Sequence, residues 1–142
     1  MCAISAATAQ GMPRPEWDAR VKLAAAKRCI EHLGMGTSVW GHATVRCPDL
    51  PDQMLLAPFG ESFGQATASN HVLVPLHLEQ LLPEQREGVN ITAVVLHGSC
   101  YGARRDVGAV LHTHSPHATA IAASELHFDS QLIQVRAAAP AS

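Results

Sequence analysis

Val107-Gly108-Ala109-Val110-Leu111-His112-Thr113-His114-Ser115-Pro116 is the stretch from which the rest of the chain can be read. An apolar run gives way to two histidines, the pattern of a strand with a polar end. Side chains two apart on a strand share one face, so the rings of His112 and His114 are able to converge on one ion. Ser115 and Pro116 then supply an N-cap and a first-turn proline for a helix expected to run to about Ser124. The free N–H groups at such a start suit an anionic ligand. The plainer reading of His-x-His is two polar residues closing a buried strand.

Working outward, residues 90–103 hold strand formers in Ile91, Val94 and Val95. Yet Val94, His97, Gly98 and Tyr101 share one helical face, and the length and the Asn90 cap favour a helix. Residues 41–46 (Gly-His-Ala-Thr-Val-Arg), 54–57 and 71–74 read as short strands, closed by Pro48 and Pro51, by Pro58 and Gly60, and by Pro75. Residues 76–88 are weakly patterned and read as a surface excursion. Near the start, a helix runs from the Pro13 and Pro15 region to about Leu33. Ala19, Leu23, Ala26, Ile30 and Leu33 form its apolar stripe, with Arg20, Lys27 and Glu31 off it, and Gly34 is placed as a left-handed cap. Residues 1–14 read as a disordered leader without the basic and apolar regions of a signal peptide. Residues 129–142 read as an atypical tail. Short strands with flanking helices predict an α/β or α+β sandwich around a mixed or antiparallel sheet.

The 142 residues suit one domain, and 47% hydrophobic and 15% charged residues are ordinary for a globular chain. A net charge of -2 provides no electrostatic footprint for nucleic acid or an anionic membrane surface. No apolar run reaches the length of a membrane span. Cys2, Cys29, Cys47 and Cys100 are scattered without a CxxC pair and read as reduced thiols of a cytoplasmic protein. The unusual count is histidine, at 9, and histidine both titrates near neutrality and binds transition metals.

Four ordered stretches carry a resemblance. Leu111-His112-Thr113-His114-Ser115-Pro116-His117-Ala118-Thr119-Ala120 resembles the metal-ligand motif of the class II aldolase and adducin-related domains. Gly41-His42-Ala43-Thr44-Val45-Arg46-Cys47-Pro48 is similar to that family's first glycine strand. Ala57-Pro58-Phe59-Gly60-Glu61-Ser62-Phe63 is similar to the adducin-like Asn-Pro-Phe-Gly-x-x-Phe loop, and Leu96-His97 with Arg104-Arg105-Asp106-Val107 to the stretch before the ligands. The likeness spans about Leu23 to Leu126, with a partial domain expected over residues 15–128.

The resemblance implies a three-layer α/β sandwich of class II aldolase type, incomplete at the C-terminus, assembling as a homo-oligomer, usually a tetramer. It implies a divalent metal, commonly zinc, bound by histidines including His112 and His114. Such an ion polarises a carbonyl during retro-aldol cleavage of a sugar-type small molecule. His42 and Thr92 are the candidates for binding the substrate's anionic end. The departures from the family pattern are specific. Ala93 stands where the aldolases have their catalytic glutamate, leaving the catalytic residue unknown. Ile91-Thr92 replace a pair of serines, His42 an asparagine and Arg105 a proline. The family's third histidine ligand belongs to a later part of the domain and is not present in this chain, with His117 or Glu125 as weak substitutes. His97 reads as a packed or supporting residue, Ser115 as a helix cap and Tyr101 as aromatic filler or an acid. His32, His71, His77 and His127 have no partner pattern. Two functions follow. One is a metal-dependent lyase or isomerase, weak or inactive as this truncated chain. The other is a non-catalytic adducin-like module associated with actin and spectrin.

Overall fold

The computed structural model describes residues 11–36 and 39–124. Residues 1–10 of the leader expected over 1–14, the tail, Glu125 and His127 lie outside the described residues, and Arg14 already belongs to the first helix. Helix α1 spans Arg14–His32, and β1 (His42–Arg46), β2 (Gln53–Leu56) and β3 (Val72–Pro75) follow. A short helix α2 (Pro83–Gly88) leads into α3 (Ile91–Ala103), then β4 (Ala109–His112) and α4 (Pro116–Ala122). The four strands form one sheet in the order β3-β2-β1-β4, and every neighbouring pair is antiparallel.

Alternation along the strands divides the sheet into two packed faces. Met54, Leu56 and Val74 face α3 and meet Ala93, Val94 and Tyr101 in the larger core. Ala43 and Leu55 face α1 and pack with Ala19, Leu23 and Phe63. The result is the expected α/β sandwich with helices on both faces of the sheet. Asn90 caps α3 as its sequence suggests, its side-chain oxygen accepting from the N–H groups of Thr92 and Ala93.

Two local expectations are corrected. The buried stripe of α1 contains Arg20 and Lys27, while Leu33 is 69% exposed and Ala26 lies in solvent. Charge is tolerated there because each cation is paired: Arg20 donates to Glu16 at 2.9 Å and to the carbonyl of His71, and Lys27 reaches Glu61 at 2.9 Å. Burial lowers the Lys27 pKa, with Glu61 pulling it back up. Residues 76–88 are a surface excursion only in part: most of the segment is exposed, but two of its leucines are buried. Leu76 and Leu81 enter the larger core, and Val89 closes it. Too few apolar residues at too irregular a spacing had concealed that.

At its far edge the sheet is less covered. Among the described residues β4 has β1 as its one strand neighbour. Leu111 is 49% exposed on the α1 side, beside a groove of about 310 Å³ lined by Leu23, Ala26, Ile30 and Val45.

Gly98 is where α3 touches the chain following β3. A Cβ built there would fall 1.9 Å from the Leu76 carbonyl oxygen, so Gly98→Ala must push helix and loop apart. Urea unfolding should show a loss of about 3 kcal/mol, well beyond the small propensity gain of alanine in a helix.

His71 supplies a pH dependence. Its ring is buried, with neither nitrogen in good hydrogen-bonding geometry. Burial, followed by the charges of Lys27 and Arg20, lowers its pKa to about 3, against a smaller opposing pull from the Ala68 backbone. Below about pH 6.5 the unfolded chain takes up a proton that the folded chain refuses. Stability is therefore full above that pH and falls as pH drops towards 3, by up to about 1.4 kcal/mol per pH unit for this one proton. Denaturation at stepped pH should show the slope, and His71→Gln should reduce it by one proton's share, the part due to His42 and His97 remaining.

Candidate functional site

The site is built at the junction of β1, β4 and α3. Register places His42 opposite His112, and their rings stack with centroids 4.7 Å apart and planes 18° from parallel. His114 follows on the extended chain after β4, and its ring meets that of His112 edge-on. The two Nε2 atoms stand 2.9 Å apart. Two imidazoles on a tetrahedral zinc, each at 2.0–2.1 Å, would be separated by roughly 3.3 Å. A few tenths of an ångström of ring movement would therefore fit an ion between them. They would fill two coordination positions. Among the described residues no group of three His, Cys, Asp or Glu side chains is close enough to hold a metal. His117 is exposed on α4 and does not complete the set.

Behind this pair lies a buried polar chain. His42 Nδ1 is 2.8 Å from His97 Nε2, His97 Nδ1 is 2.8 Å from Thr44 Oγ1, and Thr44 Oγ1 is 2.8 Å from the Tyr101 hydroxyl. Alternation puts His42 and Thr44 on the same face of β1, and the i, i+4 spacing of α3 brings His97 and Tyr101 to meet them. Burial, then the neighbouring His112 and His114, lowers the His42 pKa to about 4. Burial, then His42 and His112, lowers that of His97 to about 3. Both rings are neutral near pH 7, so each carries one N–H. The Tyr101 hydroxyl, whose pKa burial raises, also receives a backbone hydrogen bond at Val110. One order of protons satisfies every member: Tyr101 donates to Thr44, Thr44 to His97 Nδ1, and His97 Nε2–H to His42 Nδ1. That order leaves His42 with its own proton on Nε2.

The other sequence candidates are distributed around this core. Thr92 is exposed in the first turn of α3, its N–H already held by Asn90. Ala93, at the family's glutamate position, is fully buried in the larger core and carries no polar atom towards the site. Ser115 occupies the N-cap position of α4 without a side-chain capping bond. His32 and His77 are exposed and away from the cluster. A small cavity of about 20 Å³, room for a single water, lies beside His42 between Gly41, the 57–61 loop and Asn90, with Lys27 and Glu61 in its wall. Gly60 turns that loop with φ +85°, a left-handed conformation that favours glycine. The Thr44 link to His97 and Tyr101 gives no signal in sequence, because it joins residues more than fifty positions apart.

Comparison with known proteins adds an independent line. The profile of the family described as "Class II Aldolase and Adducin N-terminal domain" matches residues 21–138. A provisionally assigned class 2 aldolase protein of Caulobacter vibrioides is 32% identical over 108 residues, covering 76% of this chain and 42% of that protein. Alpha-adducin of Rattus norvegicus is 32% identical over 107 residues, which are 73% of this chain and 14% of adducin. An aldolase II superfamily protein from Pseudomonas syringae superimposes with a TM-score of 0.73 at 33% identity, over 81% of this chain and 46% of that one. The chain thus spans less than half the length of each of these relatives.

Thr44→Val keeps the shape of the side chain and removes the hydroxyl linking His97 to Tyr101. Two buried polar atoms would lose their partner, so chemical denaturation should report a loss of about 1–3 kcal/mol. An unchanged midpoint would mean that the chain of hydrogen bonds contributes nothing to holding α3 on the sheet.

Proposed function

Because this chain belongs to the class II aldolase and adducin N-terminal domain family, we propose that it is a divalent-metal-dependent lyase or isomerase domain with weak turnover, acting on a small hydroxy-carbonyl compound of the sugar type. The observation that carries the proposal is the paired Nε2 atoms of His112 and His114 at the end of β4. Two nitrogen donors at this spacing suit zinc. When bound, zinc supplies Lewis-acid polarisation of a carbonyl oxygen.

The remaining roles belong to the chain itself. His42 is neutral near pH 7 and offers a hydrogen bond, not a charge, to a substrate oxygen. Thr92 supplies one hydroxyl at the start of α3 for the substrate's far end, the end expected to be anionic. The buried chain through His97, Thr44 and Tyr101 fixes the ring of His42 and the position of its proton. The cavity beside His42 has room for one water, while His114 is exposed to solvent. The reading also places the domain in the cytoplasm as a homo-oligomer, consistent with free thiols at Cys29, Cys47 and Cys100. No described helix is long and apolar enough to cross a membrane.

Ala93 favours a second reading, a non-catalytic adducin-like interaction module with cytoskeletal partners such as actin and spectrin. A methyl group in the apolar core cannot transfer a proton, and a positioned acid or base is worth on the order of a hundredfold or more in rate.

The two readings separate in a retro-aldol assay on hydroxy-carbonyl sugars and their phosphates with purified chain and added zinc. The lyase reading expects slow cleavage, at least about a hundredfold below a glutamate-bearing relative, that disappears in His112→Ala. Equal background rates in both proteins would favour the interaction module.

A further inference from the structure

We infer that Glu61 sets the substrate class. Together with Lys27 it forms a subsite beside His42, neutral as a whole, that takes a hydroxyl group and turns away a phosphate. The compound accepted is then an unphosphorylated hydroxy-carbonyl sugar. The inference rests on the lyase reading above and makes the substrate's far end neutral instead of anionic.

Lys27 and Glu61 form a buried ion pair between α1 and the 57–61 loop. Lys27 Nζ lies 2.9 Å from Glu61 Oε1, and the two side chains are only 1% and 9% exposed. Taking both charges out of water is costly, and apolar side chains in place of such a pair often leave a fold as stable or more so. Packing alone gives no reason for it. The pair is also held in a fixed geometry. Asn70 donates its side-chain amide to Glu61 Oε2, and Lys27 stands over the ring of Phe63, 5.6 Å from its centroid.

The pair faces a place where a ligand can lie. Lys27 and Glu61 are in the wall of the cavity that also borders Gly41, His42 and Asn90. That cavity adjoins the strand of the histidine pair: a Cβ on Gly41 would stand 3.2 Å from the His112 carbonyl oxygen. The His42 ring, which borders the cavity, stacks on that of His112. A short hydroxy-carbonyl chain held at His112 and His114 by its carbonyl lies against His42, next to the cavity. The subsite is separate from the histidine pair and takes no position on the ion from that carbonyl.

Size and charge then select the group that enters. At about 20 Å³ the cavity holds one water, and a hydroxyl fills the space of a water while repeating its hydrogen bonds. A hydroxyl both donates and accepts, and the wall serves both needs. Lys27 has three N–H donors, of which Glu61 takes one, and the Glu61 carboxylate has lone pairs beyond those used by Lys27 and Asn70. A phosphate dianion only accepts. It meets the Glu61 carboxylate as one negative charge against another, while the pull of Lys27 is already taken up by Glu61.

The test compares dihydroxyacetone with dihydroxyacetone phosphate on the full chain, first without metal. Binding is followed by NMR at the backbone amides of Gly41, Gly60 and Glu61. Retro-aldol cleavage of a ketose and of its phosphate ester, with zinc added, is measured separately. Dihydroxyacetone should shift the three amides, and its phosphate should bind at least about tenfold more weakly. Glu61→Gln keeps the shape and removes the charge, and should narrow that preference at least about threefold without reversing it, since the room is unchanged. Where Glu61→Gln fails to fold, Lys27→Met combined with Glu61→Gln leaves no unpaired cation and should show the same narrowing. Equal or tighter binding of the phosphate by the unmodified chain overturns the inference, as does an unchanged preference in a folded variant. Binding of neither compound, or binding that leaves the three amides unmoved, reduces the ion pair to a clasp between α1 and the loop and overturns it too. The hydroxyl preference without zinc-dependent cleavage of either sugar would sink the lyase reading and keep the subsite.

Discussion

Much of this structure depends on the polar face of β1. His42, Thr44 and Arg46 alternate on the side that α3 covers, in a layer otherwise filled by Met54, Leu56, Val74 and Val94. Polar groups removed from water must find partners or cost a few kcal/mol each. α3 supplies them at one position only: His97 for His42 and Thr44, and the Tyr101 hydroxyl for Thr44. Arg46 completes the lock by donating to the carbonyls of Pro51, Tyr101, Arg104 and Val107, with its guanidinium 4.7 Å from the Tyr101 ring centroid. A one-turn slide of α3 would break the bonds that His97 and Tyr101 make with His42, Thr44 and Arg46. A purely apolar interface would tolerate such a slide far better.

The same requirement sets the geometry of the site. Because His97 fixes His42, and β1–β4 pairing sets His112 opposite His42, the rings arrive stacked. Four histidines in so small a volume would repel one another if protonated. Burial keeps His42 and His97 uncharged, and an uncharged imidazole is the form that binds a metal.

Legibility from sequence followed the physics of each element. The strand-to-helix passage at residues 107–116, the Asn90 cap and the breaker-bounded strands are local signals, and the structure contains these elements within a few residues of the expected bounds. The α1 stripe was misjudged because hydropathy assigns Arg20 and Lys27 to water. Their burial depends on Glu16, only four residues away, and on Glu61, thirty-four residues distant. Leu76 and Leu81 were missed for a similar reason: they reach the core from a turn and a short helical segment without a period to reveal them. In the site, the His-x-His pair was visible as a pattern. The roles of Thr44 and Tyr101 behind His97 were not, since only the folded sheet brings them together.

The strand order has a meaning in chain entropy as well. Thr44 and Leu56 pair across a short connection, as do Leu56 and Val72, whereas His42 and His112 lie seventy positions apart. Closing the longer loop costs about 1.5 kcal/mol more in chain entropy than closing the β1–β2 hairpin. The meander of β1, β2 and β3 therefore costs less chain entropy to close than the pairing of β4 onto β1. The histidine pair thus rides on the strand whose pairing closes the longest loop in the sheet. Under the proposed metal reading, an ion bound there would fasten the strand that has the most chain to close.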